Sequence, residues 1–199
     1  MDIFATVATA TGLFVGTNID DMVVIAVLNV SSRAEGHPKV WQIWAGQYAG
    51  ITALVVVSLL AALGLSVLLP ERYTWVLGLV PLVLGLNKLV AAARSLHCGA
   101  QPTPAVAKGL VGVVALTIAN GGDNIAAYTP VFRTLSAVEI GATICAFTLG
   151  VAVWCLLGAW LVSHRRITEV VQRWGHWIVP SVFILIGLYI FQKAGMFGF

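Results

Sequence analysis

Long apolar runs, broken by short polar stretches, account for almost the whole chain. Six of them reach the roughly 20 mostly apolar residues that a helix needs to cross a bilayer. They run approximately from Ile3 to Val30, Val40 to Leu69, Tyr73 to Ala93, Ala105 to Phe132, Ala137 to Ser163 and Trp177 to Phe197. The polar stretches between them are Ser31 to Lys39, Pro70 to Arg72, Arg94 to Pro104, Arg133 to Ser136 and His164 to His176. Leu54 to Leu63 shows none of the alternation of a barrel strand. In hydrocarbon every backbone N–H and C=O has to pair internally, so runs of this length predict helices. The expected fold is an all-α integral membrane protein of six transmembrane helices, a single domain over residues 1–199 with no soluble module appended.

Composition agrees with that pattern. Hydrophobic residues make up 59% of the chain and charged residues 10%, with a mean hydropathy of +0.95. A soluble domain carries about 25% charged residues, so this balance excludes an ordinary soluble enzyme and a disordered chain. The net charge of +3 is spread along the sequence without a dense basic patch, which excludes a nucleic-acid binder. The N-terminus opens with Met1-Asp2 and no Lys or Arg, and its apolar run continues past two aspartates, so the first run reads as a span rather than a cleaved signal. Cys98, Cys145 and Cys155 form no CxxC and no zinc-type spacing; Cys145 and Cys155 read as small hydrophobes.

The basic residues set an orientation. With the N-terminus outside, the inner loops and helix ends hold Arg33, Lys39, Lys88, Arg94, Lys108, Arg165, Arg166 and Arg173, against Arg72, Arg133 and Lys193 outside. That bias predicts both termini on the extracytoplasmic side. Trp174 and Trp177 read as interfacial anchors.

The chain also repeats. Thr17-Asn18-Ile19-Asp20-Asp21 resembles Asn120-Gly121-Gly122-Asp123-Asn124 at an offset of 103, and Trp75…Pro81 resembles Trp174…Pro180 at an offset of 99. The markers fall in the first and fourth runs and in the third and sixth. Three helices per half is an odd number, so the second half enters the membrane inverted. The expected plan is two inverted three-helix repeats, about 1–95 and about 104–199, as in many secondary transporters.

Of the eight acidic residues, Asp20, Asp21 and Asp123 lie inside apolar runs. An Asp at the centre of a membrane helix costs about 2.5–3.5 kcal/mol, and intramembrane acids mark ion or substrate pathways. Lys88 is placed near the cytoplasmic end of the third span, from which it can snorkel outward, leaving the three acids without a basic partner at their depth. Such carboxylates have to be protonated, hydrated or bound to a cation. Thr17, Asp20 and Asp21 stand at i, i+3 and i+4, and Asn120, Asp123 and Asn124 repeat that spacing, so each helix carries an oxygen cluster on one face. Asn18 lies off that face, as a donor to an aspartate or to backbone. Gly16, Gly121 and Gly122 permit close helix approach or local unwinding, and Pro81, Pro130 and Pro180 free further carbonyls. Two such faces turned together make a mid-membrane cation site. Thr and Asn alone serve more often as glue between helices. Gln47, Asn29 and Asn87 are secondary candidates, and His37, His97, His164 and His176 sit in loops.

The pair Asn18-Ile19-Asp20-Asp21 and Asn120-Gly121-Gly122-Asp123-Asn124 resembles the cadmium resistance transporter (CadD-like) family, grouped with the lysine-exporter superfamily. The resemblance extends over the full chain in length, helix number and motif placement. It implies efflux of Cd²⁺, and of Zn²⁺, across a bacterial cytoplasmic membrane, and it rests on Asn18, Asp20, Asp21, Asn120, Asp123 and Asn124. The metal is then the cargo, and no cofactor is expected. Proton-coupled antiport with alternating access follows from clustered acids, because a proton is the simplest replacement for a departed cation. The expected partners are the divalent cation, protons and the lipid bilayer, with a homodimer open.

Alternatives remain at this stage. Hard oxygen donors also suit Mn²⁺ or Ca²⁺. An amino-acid exporter would need a group for the substrate carboxylate, and no intramembrane Arg is present. An intramembrane aspartyl protease is matched only at Gly122-Asp123: Ile19 replaces the Tyr expected before Asp20, and Asn120 the first Gly of Gly-x-Gly-Asp. The chain is therefore not read as an enzyme.

Overall fold

The computed structural model describes residues 3–95, 107–162, 177 and 180–192. All regular structure among them is helical: α1 (Ile3–Glu35), α2 (Val40–Leu68), a 3₁₀ segment (Glu71–Gly78), α3 (Leu79–Ser95), α4 (Gly109–Asn120), α5 (Gly122–Thr134), α6 (Ala137–Leu161) and α7 (Pro180–Gln192). Ile3–Glu35, Val40–Leu68, Tyr73–Ala91 and Ala137–Leu161 are long and apolar enough to cross a membrane, and α4 with α5 makes a fifth if that bent pair is one span. The protein is a multi-pass membrane protein. The expected sixth span is represented by α7 alone; its flanks lie outside the described residues.

Local chemistry explains several ends. α1 stops at Gly36, whose φ of +73° is costly for any residue with a Cβ, and the Gly36 N–H closes the last turn on the Ser32 carbonyl at 3.1 Å. α6 opens on a capping box: the Ser136 hydroxyl accepts from the Glu139 N–H at 3.5 Å, and Glu139 Oε2 accepts from the Ser136 N–H at 2.7 Å. Pro81 is the third residue of α3. The 3₁₀ segment runs straight into this helix, so Pro81 lies within the apolar span Tyr73–Ala91. Pro130 lies inside a helix, α5.

Without a hydrophobic drive between helices in lipid, contact depends on small residues that admit large ones. Phe14 of α1 lies in the notch at Gly150 of α6, where an added Cβ would stand 2.7 Å from the ring. Ile25 fills the next notch, at Gly158. Val113 and Thr117 of α4 lie against Gly46 and Gly50 of α2 in the same manner. The order of these contacts makes α1 parallel to α6 and α2 parallel to α4. α3 and α7 cross in the opposite sense at Gly78, Gly85 and Gly187. The main pairings thus join residues below 95 to residues above 104, so the expected halves interdigitate rather than stand side by side. Phe14, Tyr128, Phe132, Phe147 and Trp154 form an aromatic core between α1, α5 and α6. Leu60, Leu63, Val67, Leu149 and Leu156 face outward, as lipid-facing positions do.

Candidate functional site

The two sequence motifs meet in space, on different kinds of backbone. Thr17 to Asp21 lie within the continuous 33-residue α1. The second motif lies at a break: α4 ends at Asn120, α5 begins at Gly122, and their axes diverge by 63°. Gly121, between them, closes a tight turn with its N–H on the Ile118 carbonyl at 3.0 Å. It also lies against Leu54 of α2, where a Cβ would overlap that side chain. The unwinding and the close approach expected of glycine thus fall on the same residue. Gly122 has open space where a Cβ would be, and Gly16 lies against Val182 of α7.

The break puts the positive end of the α5 dipole at Asp123, in its first turn, and the negative end of α4 beside it. Asn120 donates from Nδ2 to Asp21 Oδ1 at 3.2 Å, joining α4 to α1 across 99 residues of sequence. Asp21 is buried, whereas Asp20 is exposed and Asp123 half-buried, on the side where α1, α3 and α5 meet. Asp20 interacts electrostatically with Asp123, and Asp21 with both. Carboxylates from α1 and α5 therefore share one field.

Lys88 of α3 pairs directly with Asp123, lies 5.7 Å from the centre of the Phe183 ring of α7, and attracts Asp20. This corrects the expectation that no basic group reaches these acids. Lys88 is the tenth of the seventeen residues of α3, near the end of the apolar span Tyr73–Ala91, and turns to Asp123 rather than outward.

Thr17, Asn18 and Asn124 form a second, neutral group beneath the charged one. Asn18 Nδ2 donates to the Phe14 carbonyl at 2.9 Å, to Thr17 Oγ1 at 2.8 Å and to the Tyr128 hydroxyl at 2.9 Å. Asn124 Nδ2 donates to Asn18 Oδ1 at 2.9 Å and to the Tyr128 hydroxyl at 3.2 Å. Thr17 Oγ1 donates to the Leu13 carbonyl at 2.9 Å and lies 3.1 Å from the Tyr128 hydroxyl. Trp154 donates from Nε1 to the Asn18 carbonyl at 2.6 Å. All five side chains are buried, and each bond spares an otherwise unpaired polar group in an apolar setting. Thr17 thus turns to this network and not to a ligand face shared with Asp20, and Asn18, expected off the face, is its hub.

Sequence reasoning missed Lys88, Tyr128 and Trp154. Tyr128 was within reach of it, because it stands at i+4 from Asn124 and extends the same stripe. Among the secondary candidates, Gln47 is buried but bonds to neither group, Asn29 bonds its own helix at the Ile25 carbonyl, and Asn87 is exposed. Cys145 faces outward, and Cys155 is buried in α6. His37 is exposed; His97, His164 and His176 lie outside the described residues. Among the described residues no three His, Cys, Asp or Glu side chains are grouped tightly enough to hold a metal ion. With Asp123 on Lys88 and Asp21 on Asn120, the carboxylates engage internal partners.

Neither the curated proteins nor the solved structures contain a match to the chain. The family model described as Cadmium resistance transporter matches residues 14–198. That span includes both motifs and every residue of the two polar groups, and the chain belongs to the cadmium resistance transporter family.

Proposed function

We propose that the protein exports Cd²⁺, with Zn²⁺ as a second cargo, from a bacterial cytoplasm in exchange for protons, with both termini on the outer side. Family membership supports metal efflux. The observation that carries the finer reading is the charge balance where the motifs meet. Asp20, Asp21 and Asp123 interact with one another, and Lys88 with Asp20 and Asp123, so the four groups when ionised leave two negative charges to be met. One divalent cation meets that deficit, and so do two protons. The exchange is then electroneutral, one metal ion out for two protons in.

The metal ligands in this reading are Asp20, Asp21 and Asp123, with Asn120 completing the set. Thr17, Asn18 and Asn124 hold the two motif helices together beneath it. Carboxylate and amide oxygens bind a soft ion loosely, which suits a carrier that has to release it. The same donor set favours Mn²⁺ or Ca²⁺ as the second reading, since the outward Cys145 offers no thiolate to the site.

The helix pairing supports the inverted repeat. Exchanging the halves maps the parallel pair α1–α6 onto α2 with α4–α5, and returns the antiparallel pair α3–α7 to itself. Alternating access then moves the α1–α6 pair against the α2–α4–α5 group, with the carboxylates at the seam.

Proteoliposomes with an entrapped metal dye and an imposed pH gradient test the coupling. Cd²⁺ movement against a proton flux of two per ion, insensitive to membrane potential, is the expected result. Transport that ignores the gradient and moves no protons refutes it. A metal-sensitivity profile of cells with and without the protein decides between Cd²⁺ or Zn²⁺ and Mn²⁺ or Ca²⁺.

A further inference from the structure

Lys88 belongs to neither motif and stands on a third helix, yet its ammonium is the direct partner of Asp123. It also attracts Asp20 of α1 and lies over the Phe183 ring of α7, so α1, α3, α5 and α7 meet at one positive charge. An ammonium is a compact cation with donors free to rotate, carried on a flexible stem. At Asp123 it engages a carboxylate that the proposed cation site also needs. A divalent cation drawing in Asp20 and Asp123 repels the ammonium and takes its partner. The Phe183 face already lies beside the ammonium in the paired state and, because an aromatic face attracts cations, goes on holding the charge once Asp123 is taken.

We infer that Lys88 is a tethered counter-ion that alternates with the cargo at Asp123. When the metal is bound, Lys88 gives up Asp123 and keeps the face of Phe183. When the metal leaves, Lys88 returns to Asp123, holds the ligand in place for the next cycle, and opposes rebinding of the released ion. Lys88 is thus a positioning residue that weakens equilibrium binding and speeds release. The inference rests on the proposed cation site, and its failure can be told apart from the failure of that site.

The test compares the full chain, purified in lipid nanodiscs and in proteoliposomes, as wild type, Lys88→Met, Lys88→Gln and Lys88→Arg, with Cd²⁺ as the probe. Neutral replacements should bind Cd²⁺ about tenfold more tightly or better, since a like charge has gone from a site of low dielectric. Their maximal efflux rate should fall, and the half-saturating Cd²⁺ concentration should fall with it. Lys88→Arg keeps the charge and should bind no more tightly than wild type. Folded neutral variants that bind Cd²⁺ as weakly as wild type, or more weakly, overturn the inference. So does failure of both neutral variants to fold, which would make the ion pair structural. A wild-type protein that neither binds nor moves Cd²⁺ removes the proposed site itself.

Discussion

The two motifs share a spacing and differ in their backbone. In α1, Thr17, Asn18 and Asp21 are presented by an unbroken helix and fixed by packing against α6. At the second motif, Gly121 divides the span into α4 and α5, bent by 63°. A continuous helix presents side chains and keeps its backbone groups to itself. A broken one begins a second helix at the motif, and Asp123, the partner of Lys88, stands in its first turn. One motif thus sits on a continuous helix and the other at the joint between two. Equal spacing in sequence does not give two motifs the same backbone.

The largest effect that would break this comparison is loss of a carboxylate on either side. Asp21→Ala and Asp123→Ala should each reduce Cd²⁺ efflux to background while the protein still inserts, as followed by dye quenching and membrane fractionation. Retained efflux in Asp21→Ala alone would make the continuous helix a scaffold rather than a ligand donor. Next is the joint. Gly121→Ala places a methyl against Leu54 and should destabilise the protein by about 1–3 kcal/mol, whereas Gly122→Ala meets open space and should stabilise it by about 0.5–1 kcal/mol. Thermal unfolding in detergent reads both; equal effects at the two positions would remove the special role of Gly121. Tyr128→Phe takes the shared hydroxyl from Thr17, Asn18 and Asn124 and should cost about 1–3 kcal/mol, with efflux lowered but not lost. Smallest of all, Cys145→Ser should leave Cd²⁺ affinity unchanged, since that thiol faces away from the site; a change would bring sulfur into the ligand set.

The membrane class and the two motifs were legible because apolar run length and the cost of buried acids leave few other solutions. The sequence pattern also brought α1 and α5 together, through Asp20, Asp21 and Asp123. The break was not resolved by it, since a Gly-Gly pair is equally suited to close packing and to unwinding, and only the neighbour Leu54 decides. Lys88 was set aside because a long side chain near a helix end can snorkel outward as readily as turn to an acid, and only the position of Asp123 on α5 decides. Trp154 gives no signal in an apolar run; its bond to a backbone oxygen has no counterpart in side-chain spacing.

That indole has a mechanical consequence. Its grip on the Asn18 carbonyl, set between the Phe14 and Ile25 notches, gives α1 and α6 three points of attachment along one line. Sliding or twisting one past the other has to undo all three at once. In the proposed alternating access the two helices would therefore travel as a single rod, with the surroundings of Trp154 unchanged while the cargo crosses.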